Sequence, residues 1–239
     1  MRPCGPRPAL PAATSARLQS DTTAITRATN PKAEATRRYD NARVAPWFTP
    51  VIDTLRTMAG TGENCMWCSS SESSQVEHYR PKSVYPELAL SWDNYLWACS
   101  VCNSVYKGNR FPTGAEQLLD PAAESIWDYF FIDDTGLLTP HFDPATQQPH
   151  RRAVSTRDLI RLNREVVHAR RRSRMHELRQ QVEDTLLLAQ QGHLTRVEVQ
   201  ERWDEWRHAA LQPDVASYFL DGPGRGESPY ADLWNWLYP

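Results

Sequence analysis

The chain carries no apolar run long enough to cross a membrane and no secretory hydrophobic stretch. Both absences point away from a membrane span and from an oxidising compartment, so the expectation is a cytoplasmic protein with no membrane partner. Internal repeats are absent as well, which excludes a solenoid. Net charge is only −2 over 239 residues, too small to attract or repel a polyanion until it is resolved by segment. Cysteine is scarce, with five residues in all. Four of the five are not scattered.

Cys65 and Cys68 form one CxxC pair and Cys99 and Cys102 another, with 30 residues between the pairs. Each pair places two sulfurs on one tight turn, and two such turns can supply the four thiolates of a tetrahedral zinc site at about 2.3 Å from the ion. The alternative is two disulfides or four buried thiols, and without a secretory signal the disulfides lose their setting. A zinc held by four cysteines has no open position, so its role would be structural. Cys4 lies in a Pro/Arg-rich leader and is expected to have no role.

Between the pairs and directly after the second stand the residue types that phosphodiester hydrolysis needs. A neutral imidazole at cellular pH can activate water, and His78 is the candidate base. A hard cation such as Mg²⁺ or Mn²⁺ takes oxygen ligands and keeps several waters, a requirement that Glu77 and the Asn103 side chain would meet. Each residue also has a plainer reading. His78 could be a satisfied core histidine, Asn94 a turn residue, Asn103 a helix cap, and Arg80, Lys82 and Lys107 solvated charges. Trp92 and Trp97 read as core of a small module rather than as base-stacking platforms.

The wording Val76-Glu77-His78-Tyr79-Arg80-Pro81-Lys82, then Trp92-Asp93-Asn94-Tyr95, then Cys99-Ser100-Val101-Cys102-Asn103 with Lys107-Gly108 and Phe111-Pro112, resembles the HNH endonucleases. Within them it is similar to the HNH proteins that accompany an ATPase in Septu and retron antiphage defence systems. Leu118-Leu119-Asp120-Pro121, Asp134-Thr135-Gly136 and Leu162-Asn163 extend the likeness over roughly residues 60 to 180. The resemblance implies a ββα-metal module with His78 as general base, Glu77 and Asn103 on the catalytic divalent ion, and Asn94 fixing the loop that presents His78. It also implies that Lys107 or Arg80 touches phosphate. Many HNH sites carry Asp before the histidine, so the longer Glu77 leaves open whether it meets the metal directly.

Resolved by segment, the charge is uneven. Residues 1–149 hold 13 basic and 16 acidic residues, 150–180 hold 10 arginines against 3 acids, and 181–239 hold 4 basic against 10 acidic. The basic stretch reads as one long helix, capped by Ser155 with Asp158 and striped by Leu159, Leu162, Val166, Ala169, Leu178, Val182 and Leu186 up to Gly192. Arg164, Arg170, Arg171, Arg172 and Arg174 surround the stripe, either as a solvated face or as a track for a DNA or RNA backbone. With one acid among its prolines, residues 1–29 read as a flexible arm. Helices are expected from Asn30-Pro31 and Thr49-Pro50, the second ending at Gly60. The first CxxC pair should form a hairpin with a strand over Gln75–His78, and a helix should follow Cys102. A further hairpin is expected within 113–150. Helices from Thr195 and from Ser228-Pro229 carry the tryptophans of the acidic tail, either as packing or as a docking surface for a partner.

The expected architecture is therefore α+β, a zinc-stapled HNH (His-Me finger) module at 63–115 within a mostly helical frame. Around it lie the arm at 1–29, helices at 30–62, a connector at 116–154 and a helical region at 155–239. The expected activity is metal-dependent endonuclease cleavage, DNA first and RNA second, with an ATPase partner implied by the resemblance. The alternative is a non-catalytic zinc-knuckle protein that binds nucleic acid or docks a partner.

Overall fold

The computed structural model describes residues 4–71, 74–208 and 213–239. Helix accounts for 57% and strand for 8%, so the fold is mixed but helix-rich, with its strands confined to small sheets.

The first element corrects the expected arm: α1 runs over Ala12–Thr26 and buries Thr14, Leu18, Asp21 and Ile25 on one side. Those positions recur at helical spacing, and composition alone hid them because half of them are polar. Asp21 accepts from Arg17 at 3.1 Å and is paired with Arg38 of α2 (Pro31–Ala42), which ties the two helices together. Ahead of α1 the chain straps onto later segments. Arg7 pairs with Asp120 at 3.0 Å and donates to the Tyr95 carbonyl, while Cys4 N–H donates to Pro121.

Asn30 caps α2 through the Ala33 N–H at 3.1 Å. The next helix, α3 (Thr49–Ala59), is entered from a short turn at Pro46–Phe48, so Phe48 rather than Thr49 holds the cap position. Gly60 ends it at φ 83°, a conformation that glycine adopts without strain.

Strand β1 (Ser74–His78) pairs antiparallel with β2 (Tyr95–Cys99), setting His78 opposite Tyr95 and Glu77 opposite Leu96. The first CxxC pair is therefore not the hairpin partner of β1. It closes its own tight turn, Ser69 N–H to Cys65 and Cys65 N–H to Ser70, and docks on β2 through Met66 N–H to Trp97. A wide helical segment, Val101–Lys107, follows β2 at once and stops at Gly108.

The expected connector hairpin is β3 (Phe130–Ile132) with β4 (Leu138–Pro140), its turn built on Asp133, which accepts from Thr135 and Leu137 N–H groups. A smaller pair, β5 (Phe142–Asp143) and β6 (Gln148–Pro149), follows. The expected single basic helix is two: α4 (Arg151–Ile160) and α5 (Glu165–Gln190). Ser155 lies inside α4, not at its cap. The break has a local cause. Arg161 takes a left-handed conformation at φ 56°, and Asn163 turns its amide to β4, accepting from Leu138 N–H at 2.9 Å and donating to Leu138 O at 3.0 Å.

On α5 the buried face is Val167, Arg171, Arg174, Leu178, Val182, Thr185 and Ala189, whereas Val166 is 48% exposed. The C-terminal elements α6 (Arg196–Arg207), α7 (Pro213–Ala216) and α8 (Tyr230–Leu237) pack against α5. Thr195 and Glu198 form a reciprocal cap on α6. Trp203 is buried and meets Trp234 at 5.4 Å, so the tail tryptophans face one another within the fold.

Candidate metal centre and histidine cleft

The two tight turns bring Cys65, Cys68, Cys99 and Cys102 together, fully buried, with all four sulfurs within 4.8 Å of one another. Thiolates at about 2.3 Å from a tetrahedral ion stand roughly 3.8 Å apart, and Cys68 and Cys99 are separated by 3.9 Å. The electrostatics point the same way. Burial pushes the Cys65 thiol up, while hydrogen bonds from Cys102, Cys65 and Cys99 hold Cys68 well down, so four thiols compete for negative charge that a dication would settle. Arg164 adds a positive group, with Nη1 3.6 Å from Cys102 Sγ. The donor set fits a structural zinc.

Beside this centre, at the end of β1, His78 lines a cleft of about 300 Å³ with Asn103, Lys82, Gln75, Ser104 and Asn109. Its Nε2 lies 2.9 Å from the Ala89 carbonyl. A carbonyl only accepts, so Nε2 carries the proton and Nδ1 keeps the lone pair. Tyr39 and Tyr95 pack edge-on against the ring at 4.4 and 5.4 Å, and Tyr95 donates to the same Ala89 oxygen. Burial pushes the imidazole down to about 4, against the Ala89 bond, which favours the charged form, and with help from the charges of Lys82 and Lys107. The ring is held neutral and in one orientation.

Glu77 is not in the cleft. Successive side chains on a strand point to opposite faces, so Glu77 turns away from His78 into the core, where it is wholly buried. Oε2 accepts from Trp67 Nε1 at 2.6 Å, and Oε1 lies 2.9 Å from Lys107 Nζ, an ion pair not aligned as a hydrogen bond. Lys107, also buried, donates to the His78 carbonyl at 2.8 Å. One expectation is thereby corrected, Glu77 as a ligand of a catalytic ion; Lys107 does line the cleft, but its ammonium is engaged by Glu77 and the His78 carbonyl. The charges of Glu77 and Lys107 neutralise each other under β1.

Asn94 is buried and ties down the loop after β1, with Oδ1 accepting from Arg80 N–H and Nδ2 donating to the Arg80 and Leu88 carbonyls. Arg80 lies over the rings of Tyr85 and Phe111, and Lys82 over Tyr39 with Asp40 at 3.8 Å. The arginines of α5 divide. Arg171 is fully buried and paired with Asp214 at 3.1 Å, and Arg174 is 9% exposed, so neither can lie on a nucleic-acid face. Arg170, which donates to Ser70, and Arg172 are exposed. Sequence reasoning missed Tyr39 of α2 and Arg43 just beyond its end, which reach the cleft. Only the fold brings that helix to the end of β1.

The cleft offers a hard dication the oxygens of Gln75, Asn103, Ser104 and Asn109, and no carboxylate among the described residues. A resident Mg²⁺ is held through one or two carboxylates, so these residues do not fit the Glu77–Asn103 site expected from the sequence.

No family model matches the chain. It is 27% identical over 101 residues to the Septu protein PtuB of Bacillus thuringiensis, covering 40% of this chain and 38% of that one. It is 28% identical over 106 residues to the Septu protein PtuB of Bacillus mycoides (strain KBAB4), covering 31% and 36%. The chain thus matches less than two fifths of the length of either relative. No helix among the described residues is long and apolar enough to cross a membrane.

Proposed function

We propose that the protein is a nucleic-acid phosphodiester hydrolase of HNH type, acting as a component of a Septu-related antiphage defence system. The observation that carries the reading is the state of His78. A neutral imidazole, its Nε2–H held by the Ala89 carbonyl so that Nδ1 keeps the lone pair, lines a polar cleft with Asn103 and Lys82. A general base needs that combination of orientation and protonation state. His78 Nδ1 takes the proton of the attacking water, Asn103 orients that water or a phosphate oxygen, and Lys82 and Arg43 offset phosphate charge from the cleft wall. Asn94, Lys107 and Glu77 act at one remove, holding the loop and strand that carry the histidine.

The cysteine centre supplies rigidity to the same strands: Cys99 ends β2, and Cys102 lies in the first turn of the helical segment that bears Asn103. DNA is the first substrate. The partial likeness to the two Septu proteins supports the defence context, and an ATPase partner belongs to that proposal. The test is a panel of supercoiled plasmid, linear duplex, single-stranded DNA and RNA, incubated with Mg²⁺ or Mn²⁺. Cleavage of at least one substrate by the unaltered protein is expected. A panel left intact both by the protein alone and by the protein with its neighbouring ATPase contradicts the enzymatic reading and leaves a zinc-knuckle binding protein.

A further inference from the structure

A second, larger concavity of about 640 Å³ borders the same Val101–Lys107 segment and is lined by Tyr106, Arg157, Asp158, Arg161, Asn163 and Arg164. Three guanidinium groups share it with a single carboxylate. Asp158 is bonded to its neighbour Arg157 at 2.7 Å, which leaves the lining positive. Arg164 is pinned over the Tyr106 ring at 5.4 Å, and Arg161 is presented from a left-handed turn. That conformation is unfavourable for a residue with a Cβ, so a surface arginine is held there against both strain and like charge. Planar guanidinium groups converging on one hollow match the oxygens of phosphate.

Position narrows the ligand to a polymer. The Val101–Lys107 segment contributes Asn103 and Ser104 to the histidine cleft and Tyr106 to the arginine concavity. The two hollows are therefore lined by one and the same seven-residue segment, roughly 10 Å long at about 1.5 Å per residue. A strand lying in one reaches the other. We propose that the Tyr106–Arg157–Arg161–Arg164 concavity is a subsite for the phosphate backbone of the nucleic acid whose scissile bond sits at His78. The proposal rests on the nuclease reading for its substrate, and it moves the expected backbone track from the middle of α5 to the α4–α5 break.

The test measures binding without cleavage. In the full-length chain carrying His78→Ala, anisotropy of a labelled oligonucleotide, duplex and single-stranded, is followed across a salt series. Arg157→Gln with Arg161→Gln should weaken binding by tenfold or more and flatten the slope of log K against log salt by about 0.7–0.9 for each phosphate no longer neutralised. Arg27→Gln with Lys32→Gln, two exposed cations away from both hollows, should change neither. Arg161→Gly, which suits the left-handed turn, should weaken binding at an undiminished melting temperature and guards against misfolding of the double variant. Binding and slope unchanged in the double variant, an equal weakening in the Arg27/Lys32 control, or inorganic phosphate competing as well as oligonucleotide at equal phosphate would each overturn the subsite. Failure of the nuclease reading is separable: it appears as salt-sensitive binding that depends on Arg157 and Arg161 in a protein that cleaves nothing.

Discussion

At the scale of single residues, His78 and Glu77 are neighbours with opposite fates. His78 is neutral because burial opposes its charge, and its folded pKa of about 4 lies below the 6.5 of the free imidazole. The base form therefore persists as pH falls from 7 toward 5 and is lost only near 4. In the window between the two values the unfolded chain binds the extra proton, so stability also declines as pH drops through it. The pH profile of kcat/KM should accordingly show its acid limb near 4; a limb near 6.5 would mean the ring is solvated and the clamp on Ala89 is not operating. For Glu77, the buried pair with Lys107 predicts a defect of folding rather than of catalysis. Glu77→Gln leaves an ammonium buried without its counter-charge and should cost about 3–5 kcal/mol in a urea melt. A variant of unchanged stability that no longer cleaves would restore Glu77 to the chemistry. The sequence placed both residues in one site because it treated adjacency as proximity. Strand parity separates them, and parity can be applied only once β1 is known to extend through His78.

At the scale of elements, the arginine-rich stretch shows where periodicity fails. Val167, Arg171, Arg174, Leu178, Val182, Thr185 and Ala189 keep the spacing of a buried helix face, but two arginines in that series read as solvent-facing because buried charge is rare without a partner. The partner of Arg171 is Asp214, 43 residues later, a distance no local pattern spans. The break between α4 and α5 was hidden for a similar reason. Asn163 looks like any polar helix residue until β4 stands beside it. Asn163→Ala should lower stability by about 2 kcal/mol, since it leaves a strand N–H and C=O unpaired; a calorimetric change below about 0.5 kcal/mol would show that the break does not depend on that amide. Features set by short-range chemistry were legible from the start: the Asn30 cap, the Gly60 stop, a hairpin within 113–150 and the helix start at Thr195.

At the scale of the molecule, two centres with separate duties lie along the same strands. The cysteine centre joins the turn before β1 to the end of β2, and the histidine cleft opens where β1 meets α2. Removing the metal from the first should loosen the second, so a strong chelator should lower the melting temperature and release about one zinc per chain, whereas withdrawing Mg²⁺ or Mn²⁺ alone should leave the melt unchanged. Equal melts before and after zinc removal would reduce the cysteines to ordinary buried thiols. The four cysteines and His78 with Asn103 were readable as spacing. The contribution of Tyr39 on α2 and Arg43 at its end was not, because it depends on how that helix folds back onto the end of β1. The proposed role of His78, as the base of a nuclease whose zinc is only structural, stands or falls on one comparison. It is tested most directly by plasmid nicking with the unaltered protein and with His78→Ala, each matched for bound zinc and melting temperature. Nicking should fall by a factor of 100 or more at unchanged zinc content; nicking by His78→Ala at the rate of the unaltered protein would remove His78 from the chemistry.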